Sequence, residues 1–473
     1  MALREAFRSV RMQRVALLAP GDALRAMLVN VADEGTVALD DPAVDRGDPR
    51  AEAGAGAVLL RLHPGSAQLA MVTAAPADLA GWEHAGRLDL IAGEAQLEER
   101  AAQALTRGSV SGLLGWIPTD DMSHLAERMA VVGGAVVPLD RPPGVQPPTL
   151  EFQSGVSRDF APLVQTYATV PYSNVNPSLL AGLAYVVMFG IMFADVGHGA
   201  VLLLVAVAVR LQWWSRLARL RSVWVFLAGA GVVSMVFGAL YGEFFGPTHV
   251  FPAIWFRPLD NPVALLGAGV AAGAFLLAGA YALGSVNRFR EGGWRRAAFA
   301  SSGLAGSALF VGLGIAGGGA YLGVVWLALI GGGLTAVGIA TSYAGLLASA
   351  GGGAAGAAEA GIELFDLVLR LGSNLVSFAR LAAFGLTHAA LGAVVWQATT
   401  GLWALGGLGT AGAVVVFLTG NVVTFALEGL VAAIQALRLE YYELFSRIFD
   451  TEGRPFRPWH VPLDTTEAPC SAG

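Results

Sequence analysis

The sequence contains no lysine, so all 29 of its basic residues are arginine. A Walker A phosphate-binding loop needs a lysine at the phosphates, so that type of ATP-hydrolysing site is excluded. Cysteine is almost absent too. The single Cys470 can form neither an intrachain disulfide nor a metal site built on several thiolates. We therefore predict no catalytic residue, no cofactor and no metal site.

Charged residues are also scarce. They make up 14% of the chain, whereas hydrophobic residues make up 55%, and the mean hydropathy is +0.60. Of the 35 acidic residues, 21 lie within the first 160 positions. This asymmetry predicts a soluble domain followed by a membrane domain. The net charge of −6 and the lack of a strong basic patch argue against a nucleic-acid partner.

The first 145 residues are predicted to form a cytoplasmic α+β domain. Helical patterns cover Gln96–Arg107 and Asp120–Val132, and they alternate with short apolar runs. The strand-like runs are Arg14–Leu18, Ala57–Leu62, Leu69–Thr73, Val110–Ile117 and Ala135–Leu139. A proline-rich linker and membrane entry follows at 146–177.

Residues 178–447 are predicted to form an eight-helix membrane domain, and 448–473 a cytoplasmic C-terminal tail. The eight apolar runs are 178–195, 196–213, 222–245, 262–287, 297–316, 320–350, 361–400 and 411–447. Each approaches or exceeds the ~20 residues that a bilayer crossing needs. The last two are longer and should be tilted. Arginines after runs two and four, and no visible signal peptide, predict cytoplasmic N- and C-termini.

The ionisable residues of the last two runs carry the functional prediction. Arg380 lies near the middle of run seven. A charge at the centre of a bilayer costs roughly 2.5–3.5 kcal/mol. The positive charge of an arginine is also permanent, because its guanidinium does not deprotonate in proteins. A polar stripe on that helix and another on run eight comprise Asp366, Ser373, Ser377, Arg380, Thr387 and His388, then Asn421, Thr424, Glu428, Gln435 and Arg438. Because the two runs are antiparallel, titratable groups fall on both sides of the fixed positive charge. His388 and Glu428 lie toward the outside, and Glu363 and Asp366 toward the cytoplasm. This arrangement predicts two half-pathways for protons.

Several runs resemble one known family. They are Phe189-Gly-Ile-Met-Phe-Ala-Asp195-Val-Gly-His198-Gly, Leu240-Tyr-Gly-Glu243-Phe-Phe-Gly, Gly372-Ser-Asn374-Leu-Val-Ser377-Phe-Ala-Arg380-Leu, and Glu428-Gly-Leu-Val-Ala-Ala-Ile-Gln435-Ala-Leu-Arg438-Leu-Glu-Tyr-Tyr-Glu-Leu. Together they are similar to the subunit a / subunit I family of V/A-type (vacuolar/archaeal-type) ATPases, the 116 kDa subunit family. The resemblance extends over about residues 147–459 and is weaker over 1–145, which suggests a form with a shortened cytoplasmic domain.

The resemblance implies a membrane stator subunit that provides proton half-channels beside a rotor ring, coupled to ATP hydrolysis or synthesis by other subunits. Arg380 would face the rotor carboxylate, with Arg438 beside it. Its implied partners are the proteolipid c/K ring, peripheral stalk subunits E and G, the central stalk and A/B sector indirectly, and the lipid bilayer. We expect it in the cell (plasma) membrane.

Other interpretations remain open from the sequence. The intramembrane arginines could bind an anionic substrate of a secondary transporter, or the chain could be a membrane anchor that conducts nothing. Glu428 and Asp366 could stabilise helix packing, and His388 could be an interior histidine. For Asp195, His198 and Glu243, near predicted helix ends, capping is as plausible as lining a channel. Glu440 and Glu443 are expected at a solvated helix end.

Overall fold

The computed structural model describes residues 9–40, 69–142, 145–150, 156–212, 221, 223–351, 353–449 and 453–465. The strand expected over Ala57–Leu62 and the isolated Cys470 lie outside the described residues. The chain divides into two compact units by its internal contacts. A membrane unit covers Phe152–Glu452, and a sheet unit combines Ser9–Glu151 with Gly453–Gly473.

The sheet unit is an antiparallel sheet packed against helices. Its elements in chain order are β1 (Met12–Pro20), α1 (Leu24–Glu34), β2 (Ala38–Leu39), α2 (Leu79–His84), α3 (Leu88–Ala102), β3 (Leu105–Arg107), β4 (Val110–Pro118), α4 (Met122–Val131) and β5 (Ala135–Leu139). The sheet order is β2-β4-β1-β5, and β3 pairs with β4. Alternate β1 residues Val15, Leu17 and Ala19 are buried, as the two-residue period of a strand requires.

Most of the predicted strands and helices of this unit are confirmed, with two corrections. The helix predicted over Gln96–Arg107 is α3, which begins earlier, at Leu88, and ends at Ala102. The Leu105–Arg107 segment is β3, because Gly108 (φ 65°) turns it into a hairpin with β4. The run at Leu69–Thr73 forms only an isolated bridge, between Val72 and Leu463.

The described part of the C-terminal tail completes the sheet unit. Trp459 N donates to Val37 O at 2.9 Å, and Val461 N donates to Ala32 O at 2.9 Å. Val461 is 1% exposed and belongs to the core formed by α1, α3, α4 and the sheet. Residues from the two ends of the printed sequence therefore share one hydrophobic core.

The membrane unit consists of helices. In chain order they are α5 (Val156–Tyr167), α6 (Ser178–Met192), α7 (Val196–Arg210), α8 (Trp224–Tyr241), α9 (Pro262–Phe299), α10 (Leu304–Tyr321), α11 (Val325–Ser349), α12 (Gly353–Ser377), α13 (Ala379–Trp403) and α14 (Leu408–Leu439), followed by a π-helical segment at Glu440–Phe445 and a final turn at Ser446–Ile448. Six spans are long and apolar enough to cross a membrane, with α12 and α13 counted as one and α14 extended to Ile448. The apolar α6 and α7 have 15 residues each, about 22 Å of helix.

Glycines set how α6, α7 and α8 pack. A Cβ on Gly190 would meet Val233 at 2.5 Å, and one on Gly199 would meet Met235 at 2.8 Å. One on Gly231 would meet Leu203 N at 2.9 Å. A Cβ on Gly229 would meet Val186 at 3.2 Å, so numbering on α8 rises with α6 and falls along α7. We conclude that α6 and α7 run in opposite directions with α8 packed against both.

The span that carries Arg380 is not one continuous helix but two, α12 and α13. Phe378 separates α12 from α13, and Leu381 N bonds back to Phe378 O at 2.9 Å in an i to i+3 pattern. The buried ring of Phe378 packs against Gly273 of α9, which has no side chain to displace it. The interruption falls two residues before Arg380, so the backbone is locally tightened where the sequence places its key charge.

Candidate functional site

Helices α13 and α14 place their polar residues side by side. Val395 packs at Gly420, and the ring of Trp396 lies 6.4 Å from that of Phe417. Further along, His388 Nδ1 forms a hydrogen bond with Glu428 Oε2. Numbering falls on one helix as it rises on the other, so the helices are antiparallel, as the sequence predicts.

The His388–Glu428 pair is largely shielded from solvent. His388 is 4% exposed, and the Glu428 side chain is 13% exposed. Glu428 Oε1 has no hydrogen-bond partner among the described residues. A carboxylate held in this way has one oxygen committed to imidazole and one oxygen available for a further proton or cation.

Asp195 begins α7 and ties it to the loop after α8. Its Oδ1 accepts hydrogen bonds from His198 N at 2.9 Å and Phe245 N at 3.0 Å, and its Oδ2 accepts one from Gly246 N at 3.0 Å. Asp195 is 1% exposed. The capping interpretation of Asp195 is therefore confirmed. Its role in ion translocation stays a prediction.

His198 and Glu243 extend this group toward α13. The His198 ring centroid lies 5.4 Å from that of His388, and His198 Nδ1 lies 3.8 Å from Asp195 Oδ1. Glu243 is buried, close enough to interact electrostatically with both Asp195 and His388. We name Asp195, His198, Glu243, His388 and Glu428 the histidine–carboxylate cluster.

Aromatic rings enclose the cluster. Phe193 lies 4.9 Å from His388 and 5.6 Å from His198, and Phe245 lies 5.2 Å from His198, between ring centroids. Such an apolar shell lowers the local dielectric constant, which strengthens every charge interaction inside it. Removing any one ionisable member of the cluster should therefore change the electrostatic interactions of the others.

The two arginines lie near a carboxylate that the sequence analysis placed in solvent. Glu443 is 7% exposed, beside Ser377 and within electrostatic range of Arg380 and Arg438. Glu440 is also buried, at 1% exposure, so the expectation of a solvated helix end was wrong for both. Glu443 belongs to the π-helical segment that continues α14 beyond Arg438.

Arg380 keeps unused hydrogen-bonding capacity. Its Nη1 is buried and has no partner among the described residues, and Oε1 of Gln435 on the facing helix is in the same state. Arg438 is exposed. A buried guanidinium nitrogen that no described residue satisfies is rare and marks Arg380 as a candidate functional residue.

The residues predicted toward the cytoplasm lie apart from the cluster. Asp366 forms an ion pair with Arg370 one turn along α12 at 2.5 Å, and these side chains are 50% and 67% exposed. Glu363, one turn earlier, is exposed as well. The structure thus brings together the predicted outer residues, and it leaves the inner ones on an open helix face.

Comparison with known proteins gives consistent relatives. Residues 106–262 and 359–461, just over half of the chain, match the V-type ATPase 116kDa subunit family. The A-type ATP synthase subunit I of Aeropyrum pernix is 27% identical over 360 residues, covering 64% of this chain and 50% of that protein. The Pyrococcus horikoshii subunit I is 25% identical over 377 residues (75% and 54%), and that of Halobacterium salinarum is 27% identical over 421 residues (72% and 55%). The chain spans about half the length of these curated relatives.

Proposed function

This chain belongs to the V-type ATPase 116 kDa subunit family, and we propose that it is the ion-translocating membrane stator subunit of a rotary ATPase. Its relatives carry the name A-type ATP synthase subunit I, and its apolar helices make it a multi-pass membrane protein. The observation that carries the proposal is the placement of a permanent intramembrane charge, Arg380, on the same helix as His388 of a buried titratable cluster.

Arg380 is the proposed barrier between two proton half-pathways. A guanidinium does not deprotonate in a protein, so a proton cannot pass through it by transfer. The free Nη1 supports a role in binding a carboxylate supplied by a rotor subunit, which would release its proton there. Arg438, Gln435 and Ser377 lie nearby on the facing and adjoining segments as the proposed supporting groups.

The histidine–carboxylate cluster is the proposed lining of the outer half-pathway. His388 lies eight residues beyond Arg380 on α13, about 12 Å along the helix. Imidazole and carboxylate side chains exchange protons readily near neutral pH. Their burial next to one another supports proton relay between the outer side and the rotor carboxylate.

The inner half-pathway is proposed to include Asp366 and Glu363 on α12. Their exposure fits a face that a partner covers, because large apolar residues on the same helix are exposed too: Ile362 at 71% and Phe365 at 66%. A rotor ring of proteolipid c/K subunits packed on α12 and α14 would enclose these carboxylates between protein surfaces.

The remaining partners and the location follow from the same proposal. The sheet unit is the proposed docking site for peripheral stalk subunits E and G, and the catalytic A/B sector and central stalk connect indirectly. We place both termini in the cytoplasm and the helices in the cell membrane. The transported ion is proposed to be the proton.

Replacement of Arg380 tests the proposal directly. Arg380→Gln should abolish ATP-driven proton pumping into inverted vesicles while the complex still assembles, because neither the barrier nor the carboxylate partner remains. Arg210→Gln is the matched control, since Arg210 stacks over Trp224 at the end of α7, 5.5 Å from the ring. Normal pumping by the Arg380 variant would refute the assignment.

A further inference from the structure

Three side chains of the histidine–carboxylate cluster have the geometry of metal ligands. The ligating atoms of Asp195, His198 and His388 all lie within 4.8 Å of one another. Asp195 Oδ1 and His198 Nδ1 are 3.8 Å apart. Ligands around a tetrahedral Zn²⁺ with bonds of 2.0–2.1 Å lie about 3.4 Å apart. The carboxylate of Asp195 and the imidazole of His198 therefore lie near the separation of two ligands on one metal ion.

His198 is the group that most needs such a partner. It is 2% exposed, and although the Asn421 amide lies beside it, neither ring nitrogen reaches hydrogen-bonding geometry with a described residue. Leaving a buried polar group unsatisfied costs roughly 1–3 kcal/mol. A bound cation would satisfy one ring nitrogen and recover part of that cost.

The surrounding contacts orient the other two ligands. His388 bonds to Glu428 through Nδ1, which leaves Nε2 for a metal. At metal sites, the second ring nitrogen of a ligating histidine is usually hydrogen-bonded to a carboxylate in this way. Asp195 is held by the backbone N–H groups of His198, Phe245 and Gly246. Oδ2 accepts only one of these bonds, so it keeps a lone pair for a cation.

The ligand types select the class of metal. Two imidazoles and one carboxylate suit first-row divalent transition metals, whereas Mg²⁺ and Ca²⁺ prefer oxygen ligands. Glu243, buried nearby with Oε2 unpartnered among the described residues, places a further carboxyl oxygen beside these ligands. The aromatic shell of Phe193 and Phe245 limits competing water.

We propose that Asp195, His198 and His388 form a binding site for Zn²⁺ or a similar divalent transition metal. The sequence analysis predicted no metal site, because it had no means of placing His198 beside His388. A consequence rests on the proposed function: metal bound to His388 would remove it from proton relay and so inhibit pumping.

Zn²⁺ binding to the chelator-treated intact complex in detergent tests the site. Titration against a chromophoric zinc chelator should show one tight site per chain, unaffected by excess Mg²⁺. X-ray absorption at the zinc edge should show nitrogen and oxygen ligands at about 2.0–2.1 Å, including imidazole. This measurement needs no variant and no ATP. A spectrum with oxygen ligands alone, or no stoichiometric binding, would overturn the site.

Variants locate the metal. His198→Gln should weaken Zn²⁺ binding by at least about tenfold, because a direct ligand is lost. His249→Gln is the matched control, since His249 is exposed in a loop and contacts Arg257. Equal affinity in the two variants would overturn the assignment. If Zn²⁺ binds as expected but pumping by the unmodified complex continues at full rate, the site stands and the inhibitory consequence is wrong.

Discussion

Buried charge is handled differently in the two units. In the sheet unit, Arg25 binds Glu94 through two hydrogen bonds of 3.2 and 2.7 Å, and Arg128 binds Asp33 at 2.7 Å and Glu34 at 2.5 Å. In the membrane unit, Arg288 pairs with Glu291 at 2.6 Å at one helix end. Buried polar atoms without partners among the described residues occur in both units, for example Arg14 Nε in the sheet unit. In the membrane unit they include atoms of the candidate site residues His198, Glu243, Arg380, Glu428 and Gln435.

This difference separates stabilising groups from functional ones. A charge that is fully paired contributes to the fold, whereas an unsatisfied buried polar group costs free energy. Groups of the second kind persist where they serve a purpose other than stability. The contrast leads us to expect that polar substitutions reduce stability in the sheet unit and ion transport in the membrane unit.

After the loss of pumping expected for Arg380→Gln, the largest effect should follow Glu428→Gln. Loss of the carboxylate that bonds to His388 should slow ATP-driven pumping by about tenfold, equivalent to roughly 1.4 kcal/mol of activation free energy. Water can replace part of the relay, so some activity should remain. The exposed Glu359 of α12 supplies the control, Glu359→Gln. Full pumping by the Glu428 variant over a broad pH range would show that this carboxylate only supports packing.

Glu94→Gln should have the opposite profile. The Glu94 side chain is 8% exposed and that of Arg25 is 27% exposed, so neutralising the pair should lower the free energy of unfolding by about 1–2 kcal/mol. Hydrogen exchange in α1 and α3 reports this loss, and Glu127→Gln on the exposed face of α4 is the comparison. Pumping should be unchanged. A pumping defect without faster exchange would break the contrast between the units.

A smaller effect is expected at the open face of α12. Asp366→Asn should slow pumping roughly two- to threefold, because an exposed carboxylate contributes less than 1 kcal/mol and its neighbours can substitute. Arg370→Gln breaks the same ion pair from its other end. If the two variants are equally slow, the pair matters for structure. If only the Asp366 variant is slow, the carboxylate itself lines the path.

The smallest effect concerns pH and the attachment of the C-terminal segment. Arg87 lies between Asp89 (3.0 Å) and Asp464 (2.5 Å), and its hydrogen bond holds the pKa of Asp89 below its usual value. A lowered folded-state pKa gives stability above the unfolded pKa of about 3.9, and that stability is lost as the pH falls through the folded value. Exchange at the start of α3, corrected for intrinsic rates, should therefore accelerate only at acidic pH.

The Asp89→Asn variant separates this carboxylate from its neighbour. It should lack the Asp89 share of the acid dependence, while Asp464→Asn should retain that share and loosen the segment at every pH. An unchanged acid response in the Asp89 variant would assign the effect to another group.

Sequence patterns identified the elements better than their limits. The resemblance to the 116 kDa subunit family is confirmed, as is a helical membrane domain behind a small sheet domain. The end of α3 was misplaced, because periodicity does not show that Gly108 turns the chain back into a hairpin. Burial of Glu440 and Glu443 was missed because the sequence does not show that the π-helical segment at Glu440–Phe445 packs into the hydrophobic core of the membrane unit.

The sequence by itself determined which residues are apolar enough for a membrane and which charges are exceptional within it. The length of each apolar run, the scarcity of acidic residues after residue 160 and the isolated Arg380 are local properties. They can be identified without knowledge of tertiary contacts. Tertiary structure alone decided that His198 meets His388 and that Val461 joins the core of the sheet unit. Both associations join distant parts of the chain, and their geometry depends on helix packing and strand pairing that no local pattern encodes.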